Sequence, residues 1–266
     1  TIPRASDFSL SGTYLGSTVT VSISRKSSNF THSVEYKFEG SSWATAASAA
    51  GASCSFTPSL NLGSQIPNAL SGILTVRVTT KNGSTTIGSA VEHTITLSLP
   101  ASVVPSAPVI TLERQDNVVP SDWGVYVQNY TKVKISAASN GSYGSTIKSY
   151  SINCDGLNGS NGTVFGPFSS PGKKTVKVTV TDSRGRTNES TQEFTVYEYY
   201  NPSISIVSAA RCDSTGTVTT SGTYLKITIN FSYASVNGKN TVSRNANCNG
   251  VIDTSFASGT SFVLAC

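Results

Sequence analysis

No run of this chain approaches the roughly 18–20 consecutive apolar residues that a membrane-crossing helix needs, so the sequence predicts no membrane insertion. Methionine is absent, and Thr1 opens directly on "TIPRASDF". That start has no basic and apolar leader and is the one expected of a trimmed or processed chain. Charge is scarce: Asp, Glu, Lys and Arg make up 12% of the 266 residues, and the formal net charge is +5. Basic residues stand singly, with Arg25-Lys26 and Lys173-Lys174 the densest pairs. A nucleic-acid binder concentrates them on one face. The pI near 8.9 therefore implies no nucleic acid, only weak attraction to an anionic surface such as an acidic cell-wall polymer.

Groups that do chemistry are equally thin. The two histidines, His32 and His93, lie far apart in sequence with no third ligand at metal-site spacing. Alternation puts His93 in step with Val91 and Ile95, pointing inward near a strand end. The five cysteines, Cys54, Cys154, Cys212, Cys248 and Cys266, include no Cys-x-x-Cys pair. Alternation turns Cys54 and Cys154 inward as small hydrophobes; spacing leaves a Cys212–Cys248 bridge open. An odd count without a leader points to assembly in a reducing compartment. No Gly-x-Ser-x-Gly elbow backs a nucleophilic serine. Glu35, Asp122, Asp155, Asp182, Glu193 and Asp253 are isolated, in turns or on polar faces, where glycoside hydrolysis needs facing carboxylates. The expectation is a protein that is not an enzyme and has no cofactor and no metal.

What is present is alternation. Only 37% of residues are hydrophobic, but they recur with period two, which presents one apolar face to a core and one Ser/Thr face to water. In the first third these are Val19-Val21-Ile23, Val34-Tyr36-Phe38, Leu74-Val76-Val78 and Ile95-Leu97-Leu99. In the second they are Ile110-Leu112, Val133-Ile135, Tyr150-Ile152, Val176-Val178-Val180 and Phe194-Val196. In the last they are Ile204-Ile206 and the run from Leu225 to Tyr233. "PASVVPSAP", Pro100 to Pro108, cannot sit in a central strand and reads as a stiff linker. "YEYYNP" is a second junction. "SWATAASAAGAS" reads as a loop or edge strand, and "LNLGSQIPNALSG" has room for one helical turn. Asn-Gly pairs at 82–83, 140–141, 158–159, 161–162, 237–238 and 249–250 supply turns. In "VTDSRGRT", Gly185 suits a left-handed position and Asp182 can accept from nearby amides. The pattern predicts an all-β protein of tandem immunoglobulin-like β-sandwich domains in an elongated chain, over residues 1–100, 103–199 and 200–266, the last small enough to be incomplete.

"DWGVYVQNY" gathers Trp123, Tyr126 and Tyr130. Flat rings beside polar groups suit sugars or a protein partner, which makes these three the candidate surface contacts. The competing reading has Trp123 filling the sandwich core or packing on the linker at 105–108. Trp43 is a weaker case of the same kind.

Five segments, "TIPRAS", "FTHSVEYKF", "SQIPNALSG", "VTDSRGRT" and "SAARCDSTGTVTTSGTYLKI", span nearly the whole chain. Together they resemble the tail-associated minor structural proteins of siphophages and prophages of Gram-positive bacteria, which carry tandem immunoglobulin-like domains. The resemblance implies a virion structural protein of the tail tip or tail fibre, assembled in the host cytoplasm, and a role in host attachment. Its partners would be other tail subunits, in a homo-oligomer, and a host-surface glycan or cell-wall polymer. The alternative is a bacterial cell-surface adhesin or carbohydrate-binding module.

Overall fold

The computed structural model describes residues 4–248, 251–253 and 259–265, and they fold almost entirely as β-structure. Two short 3-10 turns, Leu60–Gln65 and Ser121–Trp123, interrupt the strands. Among the described residues no helix is long and apolar enough to cross a membrane.

The first strands are β1 (Asp7–Ser11), β2 (Val19–Ser24), β3 (Phe30–Phe38), β4 (Ala44–Ala50), β5 (Ser53–Phe56), β6 (Ser71–Asn82), β7 (Thr85–Thr86) and β8 (Val91–Ser98). One sheet runs β1-β2-β5; the other runs β4-β3-β6-β7, with β8 also pairing β6. Their apolar faces meet in one core. Val19 and Val21 from one sheet and Val34, Phe38, Leu74, Val76, Val78 and Leu97 from the other are wholly buried. Each such side chain contributes roughly 1.5–3 kcal/mol of burial. This is an immunoglobulin-like sandwich whose fourth strand pairs with the third. The alanine-rich segment forms the edge strand β4, and the helical turn expected near Leu60 is the first 3-10 turn.

Glu35 faces outward as its parity requires and pairs with Arg77 at 2.7 Å. Trp43 lies on the same outer face, with the Arg77 guanidinium 4.2 Å and the Lys37 amine 4.9 Å from its ring centroid. His93 corrects its expectation. It shares a parity with Val91 and Ile95, which pack against the core, and with the buried Leu97, but its own side chain is 45% exposed. Its ring is exposed, stacks edge-on against Phe8 and holds Asp7 at 2.8 Å. His32 is the buried histidine: Nδ1 donates to the carbonyls of Ala50 and Gly51, at 3.1 and 3.0 Å.

These pairs set an acid dependence. The bond from His93, then that from the Phe8 amide, holds the Asp7 carboxyl below its ordinary range, and the bond from Arg77 does the same for Glu35. A carboxyl whose folded pKa is depressed stabilises the fold above its unfolded pKa and loses that contribution as pH falls through the folded value. The urea midpoint should therefore fall as pH drops from about 5 through the carboxylate range. Glu35→Gln should flatten that slope; an unaltered slope would show that Glu35 takes no part in it.

The chain continues with β9 (Val109–Arg114), β10 (Tyr126–Val127), β11 (Val133–Ala138), β12 (Ile147–Cys154), β13 (Leu157–Gly159), β14 (Val164–Phe165), β15 (Gly172–Asp182) and β16 (Thr187–Tyr197). They form a sheet β10-β16-β15-β12-β13 and a sheet β14-β11-β9. Val133, Ile135, Ile152, Val176, Val178 and Val180 are fully buried, as the alternation requires. The turn between β12 and β13 is Asp155-Gly156, both at positive φ. The expected turn pair Asn158-Gly159 lies within β13. Last come β17 (Ser203–Cys212), β18 (Tyr224–Ser232), β19 (Ala246–Cys248), β20 (Val251–Asp253) and β21 (Ser261–Ala265). β17, β18 and β21 pair in that order, and β19 pairs β20. Here one parity reading is corrected: Ile204 and Ile206 are 56% and 66% exposed. They lie on the edge strand of a three-stranded sheet, opposite Phe231 and Ile229. Cys212 is a free, buried thiol and Cys54 a free, partly buried one. The side chain of Cys248, the Asn249-Gly250 turn and Cys266 lie outside the described residues.

By compactness the chain divides into two units. One gathers Thr1–Thr111, Ser136–Asn161 and Lys177–Thr191; the other gathers Leu112–Ile135, Gly162–Val176 and Gln192–Cys266.

Candidate functional site

Two constructions stand out, one in each unit. In the first, the β15–β16 turn is a bracket. Asp182 is fully buried, not on the polar face its turn position implied. Its Oδ1 accepts from the amides of Arg184 and Arg186 at 3.0 and 2.9 Å. Gly185, at φ 79°, closes the turn. The two arginines are thereby aimed outward from the hairpin. Arg184 is 7% exposed and donates to four backbone carbonyls: Ile66 (3.1 Å), Gly63 (2.9 Å), Ser142 (2.7 Å) and Tyr143 (2.5 Å). Burial pushes its guanidinium below the ordinary arginine value, with Asp182 opposing that. Arg186 donates to the carbonyls of Leu99 (2.8 Å), Val103 (2.5 Å) and Pro100, and the Asn188 amide to that of Pro105 (2.9 Å). Ser183 Oγ donates to Pro67 O at 2.6 Å. Gly144 permits the close approach. Its φ is 85°, and a Cβ there would lie 2.9 Å from Ser64 Cα. The Pro-rich linker is therefore held by planar, multidentate donors, which arginine supplies and lysine does not.

The second unit places the aromatic cluster. Arg114, at the end of β9, donates to the carbonyls of Val119 (2.6 Å), Pro120 (3.0 Å) and Val125 (3.2 Å). It also pairs with Asp116 at 3.0 Å, and that carboxylate side chain is only 4% exposed. Asp116 Oδ1 in turn accepts from the Val119 amide at 3.0 Å. One guanidinium thus gathers both arms of the loop that carries Trp123. Trp123 packs against a hydrophobic cluster of its own unit. It lies partly buried against Val119, Val125, Val127, Ala234 and Val236.

The three predicted aromatics do not share one site. Trp123 and Tyr130 line a cavity of about 260 Å³ together with Pro120, Tyr199, Val236 and Asn240. Tyr130 meets Tyr199 edge-on, centroids 5.1 Å apart at 87°. Tyr126 turns away, packs on Phe194 with centroids 4.7 Å apart, and borders a different hollow with Arg114 and Asp116. Burial pushes its phenol upward. In β10 successive side chains oppose each other, so Val127 lines the first hollow and Tyr126 the second. Tyr199 and Asn240 were not among the predicted contacts. Tyr199 sits in the "YEYYNP" junction, which marks it in the sequence. Nothing local marks Asn240, which the Asn237-Gly238 turn brings in: Val236, Asn237 and Gly238 all have positive φ. Among the described residues no group of His, Cys, Asp and Glu is arranged to hold a metal ion.

The chain matches the profile of one protein family over residues 1–252, described as "Siphovirus protein of unknown function (DUF859)". No curated protein matches. Similar solved structures include the chicken CNTN1 FN1–FN3 domains, at 15% identity and a TM-score of 0.30, covering 99% of this chain and 88% of that one. Mouse cadherin-23 EC22–24 is similar at 15% identity and a TM-score of 0.36, covering 87% and 74%.

Proposed function

Because the chain belongs to this siphovirus family, we propose that it is a structural protein of the phage virion, placed at the tail tip or tail fibre and linking the tail to host-surface recognition on a Gram-positive cell. The observation that supports this best is the bracket. A linker between sandwiches is ordinarily where a chain bends. Here Arg184 and Arg186 tie the loop at 63–66 and the linker at 99–103 to a hairpin tip. Such a joint holds a position; it does not close on a substrate. In this reading the sandwiches at 1–100, 103–199 and 200–266 work mechanically, without a reaction centre. The polar outer faces and the edge strands β4 and β17 are the surfaces that neighbouring tail subunits, including further copies of this chain, would pair with.

A competition assay tests the host-facing part. Purified chain, added to host cells before phage, should lower the adsorption rate in a dose-dependent way. An unrelated β-sandwich of similar charge should not. Undiminished adsorption at saturating protein would remove host contact from the proposal.

A further inference from the structure

We propose that the hollow framed by Trp123, Tyr130 and Tyr199 is a binding site for a neutral pyranose ring of a surface glycan. The proposal rests on the tail reading only for the source of that glycan. Its chemistry stands on the hollow itself.

Charge decides first. None of the residues that line the hollow carries a charge at neutral pH. An anionic or cationic ligand would shed its hydration there with nothing to replace it. Shape decides next. Three aromatic rings, Trp123, Tyr130 and Tyr199, line it, the two tyrosines meeting edge to face. Pro120 and Val236 form apolar walls. A pyranose has an apolar C–H face that lies on such rings and a rim of hydroxyls that must be bonded. The rim finds partners. Trp123 Nε1 is a donor, and the hydroxyls of Tyr130 and Tyr199 both donate and accept. Among the described residues no protein group bonds any of the three. Asn240 is anchored by its backbone amide to Ser235 O and by Nδ2 to Ala234 O, which leaves Oδ1 to accept. A ligand can take these four groups without breaking a bond inside the protein. Size agrees. The volume of about 260 Å³ lies just under the ~300 Å³ lower end of drug-sized pockets and suits one ring. A proline-rich peptide, the other common ligand of Trp/Tyr surfaces, needs a groove several residues long at about 3.1 Å each. The site is also preorganised, since Arg114 fixes the Trp123 loop in advance, which lowers the ordering cost of binding.

The chain has two tryptophans, so Trp43→Phe leaves Trp123 as the sole indole reporter. That variant would be titrated with the methyl pyranosides of glucose, galactose and rhamnose and with N-acetylglucosamine. Glucuronate and a polyproline peptide serve as comparators. At least one neutral sugar should shift Trp123 emission saturably, and glucuronate should bind more weakly. Tyr130 is 39% exposed, so Tyr130→Ala should keep the fold by circular dichroism and weaken that sugar about tenfold or more. Tyr130→Phe should fall between. No response to any neutral sugar, a response to the peptide alone, or equal binding by Tyr130→Ala would overturn the assignment. These outcomes are read in solution, so a failed titration leaves the tail reading intact. Sugar binding by a chain absent from the virion would instead remove the tail reading alone.

Discussion

Replacing Arg184 with methionine is expected to destabilise the first unit by about 3–5 kcal/mol, the range for removing one partner of a buried charged network. Methionine keeps most of the aliphatic stem, so the loss comes from the guanidinium. Four carbonyls, those of Gly63, Ile66, Ser142 and Tyr143, lose the bonds of the guanidinium. The first three keep the amides of Ile66, Ala69 and Ser145, so Tyr143 is the one left without a donor among the described residues, and a buried polar group left unpaired costs roughly 1–3 kcal/mol. The first thermal transition should fall on the order of 10 °C, and limited proteolysis should newly cut in the loop around Gly63 and Ile66, which Arg184 bonds. Arg184→Lys should recover little, because one ammonium cannot replace a planar fork that reaches four acceptors. A methionine variant with unchanged melting and no new cleavage would mean that the hairpin tip touches the loop at 63–66 without holding it.

Arg114→Met is the second large effect, again about 3–5 kcal/mol, now in the other unit. The change strands the carboxylate of Asp116, whose side chain is 4% exposed, and takes the guanidinium from the carbonyls of Val119, Pro120 and Val125, of which Pro120 keeps the Trp123 amide. The loop should loosen around Trp123. Its emission should move to longer wavelength, and acrylamide should quench it more readily. Adding Asp116→Asn should restore part of the stability, because the stranded charge is then gone while an acceptor for the Val119 amide remains. If the double variant is no more stable than Arg114→Met, the stranded charge is not the cause.

The strands were legible because alternation survives wherever one face of a strand meets a core. Val19, Val21, Val34, Leu74, Val76 and Val178 all fall on the predicted face. Legibility failed where parity did not decide burial. His93 kept the right parity and still emerged into solvent, and Ile204 and Ile206 lie on an edge strand where parity does not ensure burial. The site was half legible. "DWGVYVQNY" drew attention to the loop that lines the hollow, but periodicity could not tell which rings would share a cavity. Two of the nine residues that line it, Val236 and Asn240, come from more than a hundred positions away from Trp123. The bracket was least visible. "DSRGR" reads as a hairpin turn, which it is, and a turn motif does not say what its arginines reach. Asp213 builds the same turn, accepting from the amides of Thr215 and Thr217 and bonded through its carbonyl to Gly216. It carries threonines where the first turn carries arginines.

Gold-labelled antibody raised against this chain, applied to intact virions and viewed by electron microscopy, tests the proposed role most directly. The tail assignment predicts gold at the distal end of the tail, and loss of that label when the gene is deleted. Gold on the capsid, or purified virions that carry none of this chain by mass spectrometry, would contradict it.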